Sequence, residues 1–266
     1  MLGEGDSYAI SLIIAFAVLH RARAFYYFLY VVTVFGIQYI LKSIYHSPRP
    51  YMTVEDIVPK GCSSSYGHPS GHTLQIAAYL TFIWLDFYHS NECSQTQKSY
   101  GQQMEQKSKN MTIYIICTFV TFALPIFMGI SRVYVGVHSY DHVLYGWLWG
   151  LWLAFAFHYF LRDFILKHFD IFLRFSDREK LLDSGNDTEI LLAKASVLFF
   201  GSQILFIGSF LFVYYTFQIP QVWIDRTNAK CGSPPLPENF EYKTLIGAGY
   251  PVLIFKLRTL NILKVA

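Results

Sequence analysis

The sequence predicts an all-α protein, a polytopic membrane helix bundle of six or seven spans. Three observations predict it. Charged residues make up only 15% of the 266-residue chain, against about a quarter in an average soluble domain. Hydrophobic residues make up 53% and aromatics 18%, and the mean hydropathy is +0.32. Long apolar runs recur, and two of them, Thr112–Ile130 and Ala195–Phe217, contain no Asp, Glu, Lys or Arg. Buried helices of a soluble protein usually keep a polar stripe, which these runs lack. The same figures exclude a disordered chain, a collagen-like fibre and a disulfide mini-protein. A net charge of +3 gives no indication of nucleic-acid binding.

A helix needs about 20 mostly apolar residues to cross the hydrocarbon core. In chain order the candidate spans are Tyr8–His20, which is short, Ala24–Leu41, Thr73–His89, Thr112–Ile130, Val143–Leu161, Ala195–Phe217 and Leu245–Phe255. The last is short, Gly-rich and interrupted by Pro251. No basic n-region or cleavage site marks a separate signal peptide. If all of them cross, one set of loops carries Lys42, Arg49, Lys60, Arg132, Arg226, Lys230 and Lys243, one third of the 21 basic residues. The remaining two thirds fall on the opposite side. Basic residues are retained in the cytoplasm, so the poorer set faces a lumen or the exterior. Two glycosylation sequons, at Asn110 and Asn186, fall on the cytoplasmic side and are expected to stay unused. Of four cysteines, Cys62 and Cys231 lie in outer loops, where an oxidising compartment permits a bridge. No CxxC spacing suggests zinc.

Three outer segments concentrate the chemistry. In the first, Lys42 and Arg49 leave the end of a membrane helix, and Pro48 and Pro50 keep Arg49 in extended chain. A point charge and a planar fork can both take one phosphate. The plainer reading is a snorkelling lysine and a solvated arginine. In the second, Pro69-Ser70-Gly71-His72 opens a helix. Ser70 fits an N-cap, Gly71 lets a ligand approach the backbone, and free N–H groups there attract an anion. His72 beside that anion can exchange a proton; the plainer reading is a cap with a structural histidine. In the third, Arg132 can clamp an anion, and His138 offers a nitrogen nucleophile if its other ring nitrogen is held. Asp141 follows about one turn later and could hold it, or could simply complement a helix dipole.

These segments resemble the type 2 phosphatidic acid phosphatase superfamily, which includes glucose-6-phosphatases and vanadium haloperoxidases. The family pattern runs Lys, six residues, Arg-Pro; then Pro-Ser-Gly-His; then Ser-Arg, five residues, His. Here it reads as Lys42 to Arg49-Pro50, then Pro69 to His72, then Ser131-Arg132 to His138. The resemblance covers roughly residues 8–161. It implies that residues 1–161 form the phosphatase core; for 162–266 hydropathy alone gives a cytoplasmic loop with one or two further spans. It further implies that His138 is the nucleophile that forms a phosphohistidine and that His72 is the general acid, then base. Lys42, Arg49, Ser70, Gly71 and Arg132 would cradle the phosphate, without a metal or other cofactor. One departure is that the family's Asp four residues after the nucleophile is here His142, with Asp141 one position earlier. Either residue could orient His138.

The activity implied is hydrolysis of phosphomonoesters at the lumenal or extracellular face of the endoplasmic reticulum or plasma membrane. Lipid phosphates such as phosphatidic acid lead, because a site at a membrane surface suits lipid headgroups. A sugar phosphate is the first alternative, since the motif order after an outer N-terminus resembles the glucose-6-phosphatase branch. A lipid phosphotransferase and an inactive lipid-binding member complete the alternatives. The expected partners are that substrate and the surrounding lipids, with no nucleic acid.

Overall fold

The apolar runs form helices whose ends are set by local chemistry. The computed structural model describes residues 5–63, 65–95, 100–167 and 219–231, with positions 208, 212 and 216. Helices α1 (Gly5–Val18) and α2 (Arg21–Tyr45) are followed by the single-turn α3 (Pro50–Thr53). The long helices α4 (Gly71–Gln95), α5 (Tyr100–Tyr134) and α6 (Tyr140–Ala156) come next. One π-helical turn, Phe157–Leu161, joins α6 to α7 (Arg162–Lys167), and α8 spans Gln221–Cys231. No strand occurs among the described residues. The chain is an all-α integral membrane bundle.

Three stretches among the described residues are long and apolar enough to cross a membrane: Ala22–Thr53, Met111–Tyr134 and Tyr140–Leu166. They contain the runs expected from Ala24, Thr112 and Val143. Tyr8–His20 does become helical, but α1 has only 14 residues, about 21 Å of helix. Thr73–His89 lies within α4, which is less apolar than the other three because it carries buried Thr73, Gln75, Thr81 and Asp86. The expected span Ala195–Phe217, apart from positions 208, 212 and 216, lies outside the described residues, as do Leu245–Phe255 and Asn186.

The polar content of α4 fits its position inside the bundle, packed against α2, α5 and α6. Tyr30 stacks on Phe82 at 3.7 Å between ring centroids, and Tyr26 and Phe157 close around the same ring. Helix α5 buries a narrow line, Thr121, Pro125 and Gly129, at four-residue spacing. Its other faces expose Ile115, Phe119, Phe127 and Ile130, the surface a hydrocarbon solvent accepts.

The α4–α6 contact is close because α6 presents two glycines one turn apart. A Cβ on Gly146 would lie 2.9 Å from the Ser70 carbonyl, and one on Gly150 would lie 2.6 Å from the Leu74 carbonyl. Small residues spaced by four let two backbones approach in lipid, where packing replaces the hydrophobic drive. At the other end of α4, buried Asp86 accepts from Arg23 Nε (2.7 Å), Arg162 Nε (3.2 Å) and the Tyr27 hydroxyl (3.0 Å). This ion cluster joins α2, α4 and α7.

The C-terminal part of the chain returns to the core. Cys62, in the loop after α3, is disulfide-bonded to Cys231 at the end of α8. Arg226 pairs with Glu55 at 2.8 Å, and Lys230 donates to the Tyr51 carbonyl at 3.1 Å. Trp223 and Ile219 pack on Tyr51, Met52 and Val137. Among the described residues of this part, α8 clamps the loop that follows α3.

Candidate active site

Three helix ends meet beside this clamped loop. Lys42 occupies the last turn of α2, which stops at His46 in the left-handed region (φ 45°). Pro48 follows two residues later and cannot continue a helix. Arg49 then adopts extended backbone and Pro50 begins α3, as the two prolines require. Helix α4 starts at Gly71, with Leu74 N–H donating to the Ser70 carbonyl. Helix α5 ends at Tyr134 and the chain reverses at Gly136 (φ +77°). Ser139, extended, precedes α6.

Arg49 is the hub. Its side chain is buried, and the guanidinium donates to the Ser65 carbonyl (2.7 Å), the Val137 carbonyl (3.0 Å), Ser63 Oγ (2.9 Å) and Ser65 Oγ (3.0 Å). It also reaches His138 Nε2 at 3.2 Å. A guanidinium can only donate, so Nε2 is the acceptor and carries a lone pair facing the arginine. Lys42 Nζ donates to the same Ser65 hydroxyl at 3.0 Å. The first and third segments therefore meet through a serine loop between them. Ser63 and Ser65 were not singled out in the sequence; the run Cys62-Ser63-Ser64-Ser65 preceding the second segment was the available signal. Tyr51 fixes this loop by donating to the Ser63 carbonyl at 2.7 Å.

The second segment docks on α6. Ser70 N–H donates to the His142 carbonyl at 2.9 Å, while Ser70 Oγ is buried without a hydrogen-bond partner. A Cβ on Gly71 would come within 2.5 Å of Gln38 Nε2, so its missing side chain makes room for α2. His72 is the second residue of α4. Burial depresses its basicity first, and the charges of Arg132, Lys42 and Arg49 depress it further. The His138 imidazole is likewise held well below the usual histidine range, by burial first and then by Arg49 and Lys42. Both histidines thus feel Lys42 and Arg49.

Asp141 is placed differently from the expectation that it holds His138. Its side chain is 62% exposed and its carboxylate lies 3.7 Å from His142 Nε2 and 4.0 Å from His68 Nδ1. His138 Nδ1 is buried with no hydrogen-bond partner. The physical reason is the helix start: α6 begins after Ser139, so His138 lies outside the helix and the helical spacing does not apply to the pair. His142 is buried, with Nε2 3.1 Å from Ser47 Oγ. A Cβ on Gly67 would meet the His142 ring at 2.5 Å, which makes Gly67 a close-approach position. His68 and Gly67, both unremarked in the sequence, belong to the surroundings of the site.

The model of the PAP2 superfamily matches residues 23–165, which holds every motif residue described above. The chain belongs to the PAP2 superfamily. A search of curated proteins returns no match for this PAP2 chain. Among solved structures it is similar to a transmembrane PAP2-type phosphatidylglycerolphosphate phosphatase from Bacillus subtilis. Identity there is 27% and the TM-score is 0.39, over 64% of this chain and 71% of that one.

Proposed function

We propose that the protein is a membrane phosphomonoesterase that hydrolyses lipid phosphates through a phosphohistidine on His138. The observation that carries the reading is that Arg49 stands 3.2 Å from His138 Nε2 and shares the Ser65 hydroxyl with Lys42; the Nε2 lone pair is freed for attack when the guanidinium turns to the phosphate. Nε2 attacks phosphorus in line as the bond to the leaving oxygen breaks. His72 gives its proton to that oxygen. A water then attacks the phosphorus of the intermediate, His72 takes the water's proton, and free phosphate leaves with His138 restored. Lys42, Arg49 and Arg132 offset charge on the non-bridging oxygens, and Ser70 Oγ and the Gly71 N–H are further donors. Protein cations supply this charge stabilisation, so the reaction as written uses no metal.

A lipid headgroup is favoured because the pocket lies where membrane helices end, beside the exposed rings of Tyr45, Tyr134 and Tyr140. Such rings characterise the interfacial belt. The Cys62–Cys231 bridge beside the pocket supports a lumenal or extracellular site, since disulfides persist in oxidising compartments.

Purified protein is expected to release phosphate from phosphatidic acid in detergent with chelator present. His138→Ala should lower kcat at least about 10³-fold, as removal of a covalent nucleophile does. Quenching the wild type in alkaline denaturant should trap a base-stable, acid-labile phosphoprotein that the variant lacks. Retained turnover in His138→Ala would overturn the nucleophile. Preference for glucose 6-phosphate over phosphatidic acid would move the substrate class to sugars, and transfer to an added alcohol would make the enzyme a phosphotransferase.

A further inference from the structure

We propose that His68, Asp141 and His142 form a binding site for a divalent cation of the zinc class at the mouth of the pocket. Each offers one ligand atom, and the three atoms lie within 4.8 Å of one another. The carboxylate stands 3.7 and 4.0 Å from the two imidazoles. That is too long for hydrogen bonds, yet close to the spacing an ion imposes. With bonds near 2.1 Å, tetrahedral ligand atoms are about 3.4 Å apart. Movement of exposed Asp141 by a few tenths of an ångström brings its own two distances to that spacing, and the two imidazole nitrogens, within 4.8 Å of each other, draw together as the ion binds.

The two rings are already oriented. His68 is buried, and its Nδ1 has no hydrogen-bond partner. Its ring is gripped edge-on by Tyr45 and Tyr145, at 4.3 and 4.7 Å between centroids. His142 is confined by Gly67, and its carbonyl is tied to Ser70 N–H. Ser47 Oγ, 3.1 Å from His142 Nε2, competes for that nitrogen and turns aside on one torsion. Two imidazoles and one carboxylate leave a fourth position to solvent, a donor set that suits zinc, while magnesium and calcium call for more oxygens. The three ligands come from two distant stretches of chain, which is why no spacing in the sequence betrays them. The site serves binding, and the hydrolytic steps above do not pass through it.

Cobalt(II) is the probe, read on the full-length protein in detergent with Cys93 and Cys117 replaced by Ser. One equivalent of cobalt should give the strong visible absorption of a tetrahedral site, and one equivalent of zinc should bleach it. His68→Gln should weaken cobalt binding at least tenfold. Asp141→Asn, at an exposed position, should abolish the tetrahedral spectrum and serves if His68→Gln does not fold. His138→Ala should keep the cobalt spectrum, which separates this site from the hydrolytic reading. Absence of a tetrahedral spectrum, or one indifferent to both ligand substitutions, would overturn the proposal.

Discussion

Arg49 gives up none of its hydrogen-bonding capacity to solvent in this structure. Its fork is taken by two serine hydroxyls, backbone carbonyls and His138. A phosphate that takes its place among these partners must displace the Ser63 and Ser65 hydroxyls, so the loop and the charge act together. The motif arginine and histidine were legible in the sequence, because identity and spacing mark them; the serines that connect them were not, because a serine run has no period. A second consequence concerns pH. His72 is held low by burial and by Arg132, Lys42 and Arg49. A phosphate dianion bound among these cations offsets their field and raises the His72 pKa. General-acid activity is lost as pH rises through that value. The alkaline limb of kcat is therefore expected at higher pH than that of kcat/KM. Coincident or reversed limbs in a pH series of initial rates would remove His72 from the acid role.

Between helices, two contacts set where the site sits. Gly146 and Gly150 bring α6 against the first two turns of α4, so that Ser70 N–H reaches the His142 carbonyl. Gly146→Leu is expected to cost about 1–3 kcal/mol or more through overpacking, and to lower phosphate release beyond the loss of folded protein. Thermal unfolding in detergent beside specific activity measures both, and an unchanged midpoint would contradict the close contact. Asp86 lies 14 residues, or about 21 Å of helix, from His72 along α4. Asp86→Ala strands two arginines and should cost about 3–5 kcal/mol, seen as a lower unfolding midpoint. The strongest apolar runs were readable as helices because length and absence of charge suffice. The packing partners were not, because glycines in an apolar run look like any other small residue. The π turn at Phe157–Leu161 likewise has no signal in composition.

At the scale of the molecule, hydropathy indicated a membrane bundle, and the motifs indicated which ends of it should converge. The return of the chain was legible only in Cys62 and Cys231, which could bridge and do; the helix that brings Cys231 there was not. Gln221–Cys231 reads as an outer loop in hydropathy, since its polar residues hide one face made of Ile224 and Thr227. Its place over α3 depends on tertiary partners: Glu55, the Tyr51 carbonyl and Cys62. Replacing Cys62 and Cys231 together by Ser should cost about 2–4 kcal/mol. The loop carrying Ser63 and Ser65 should then loosen, raising KM more than it lowers kcat. Steady-state kinetics before and after mild reduction of the wild type should reproduce the change, and identical kinetics would show that the clamp does not reach the pocket.

The same bridge joins cysteines 169 residues apart. A ribosome that has delivered the three signature segments still has to make about a further ninety residues before the thiol partner of Cys62 exists outside the membrane. Newborn chains arrested before residue 231 should therefore expose an alkylatable Cys62, and the covalent lock can close only once the segment bearing Cys231 has been made.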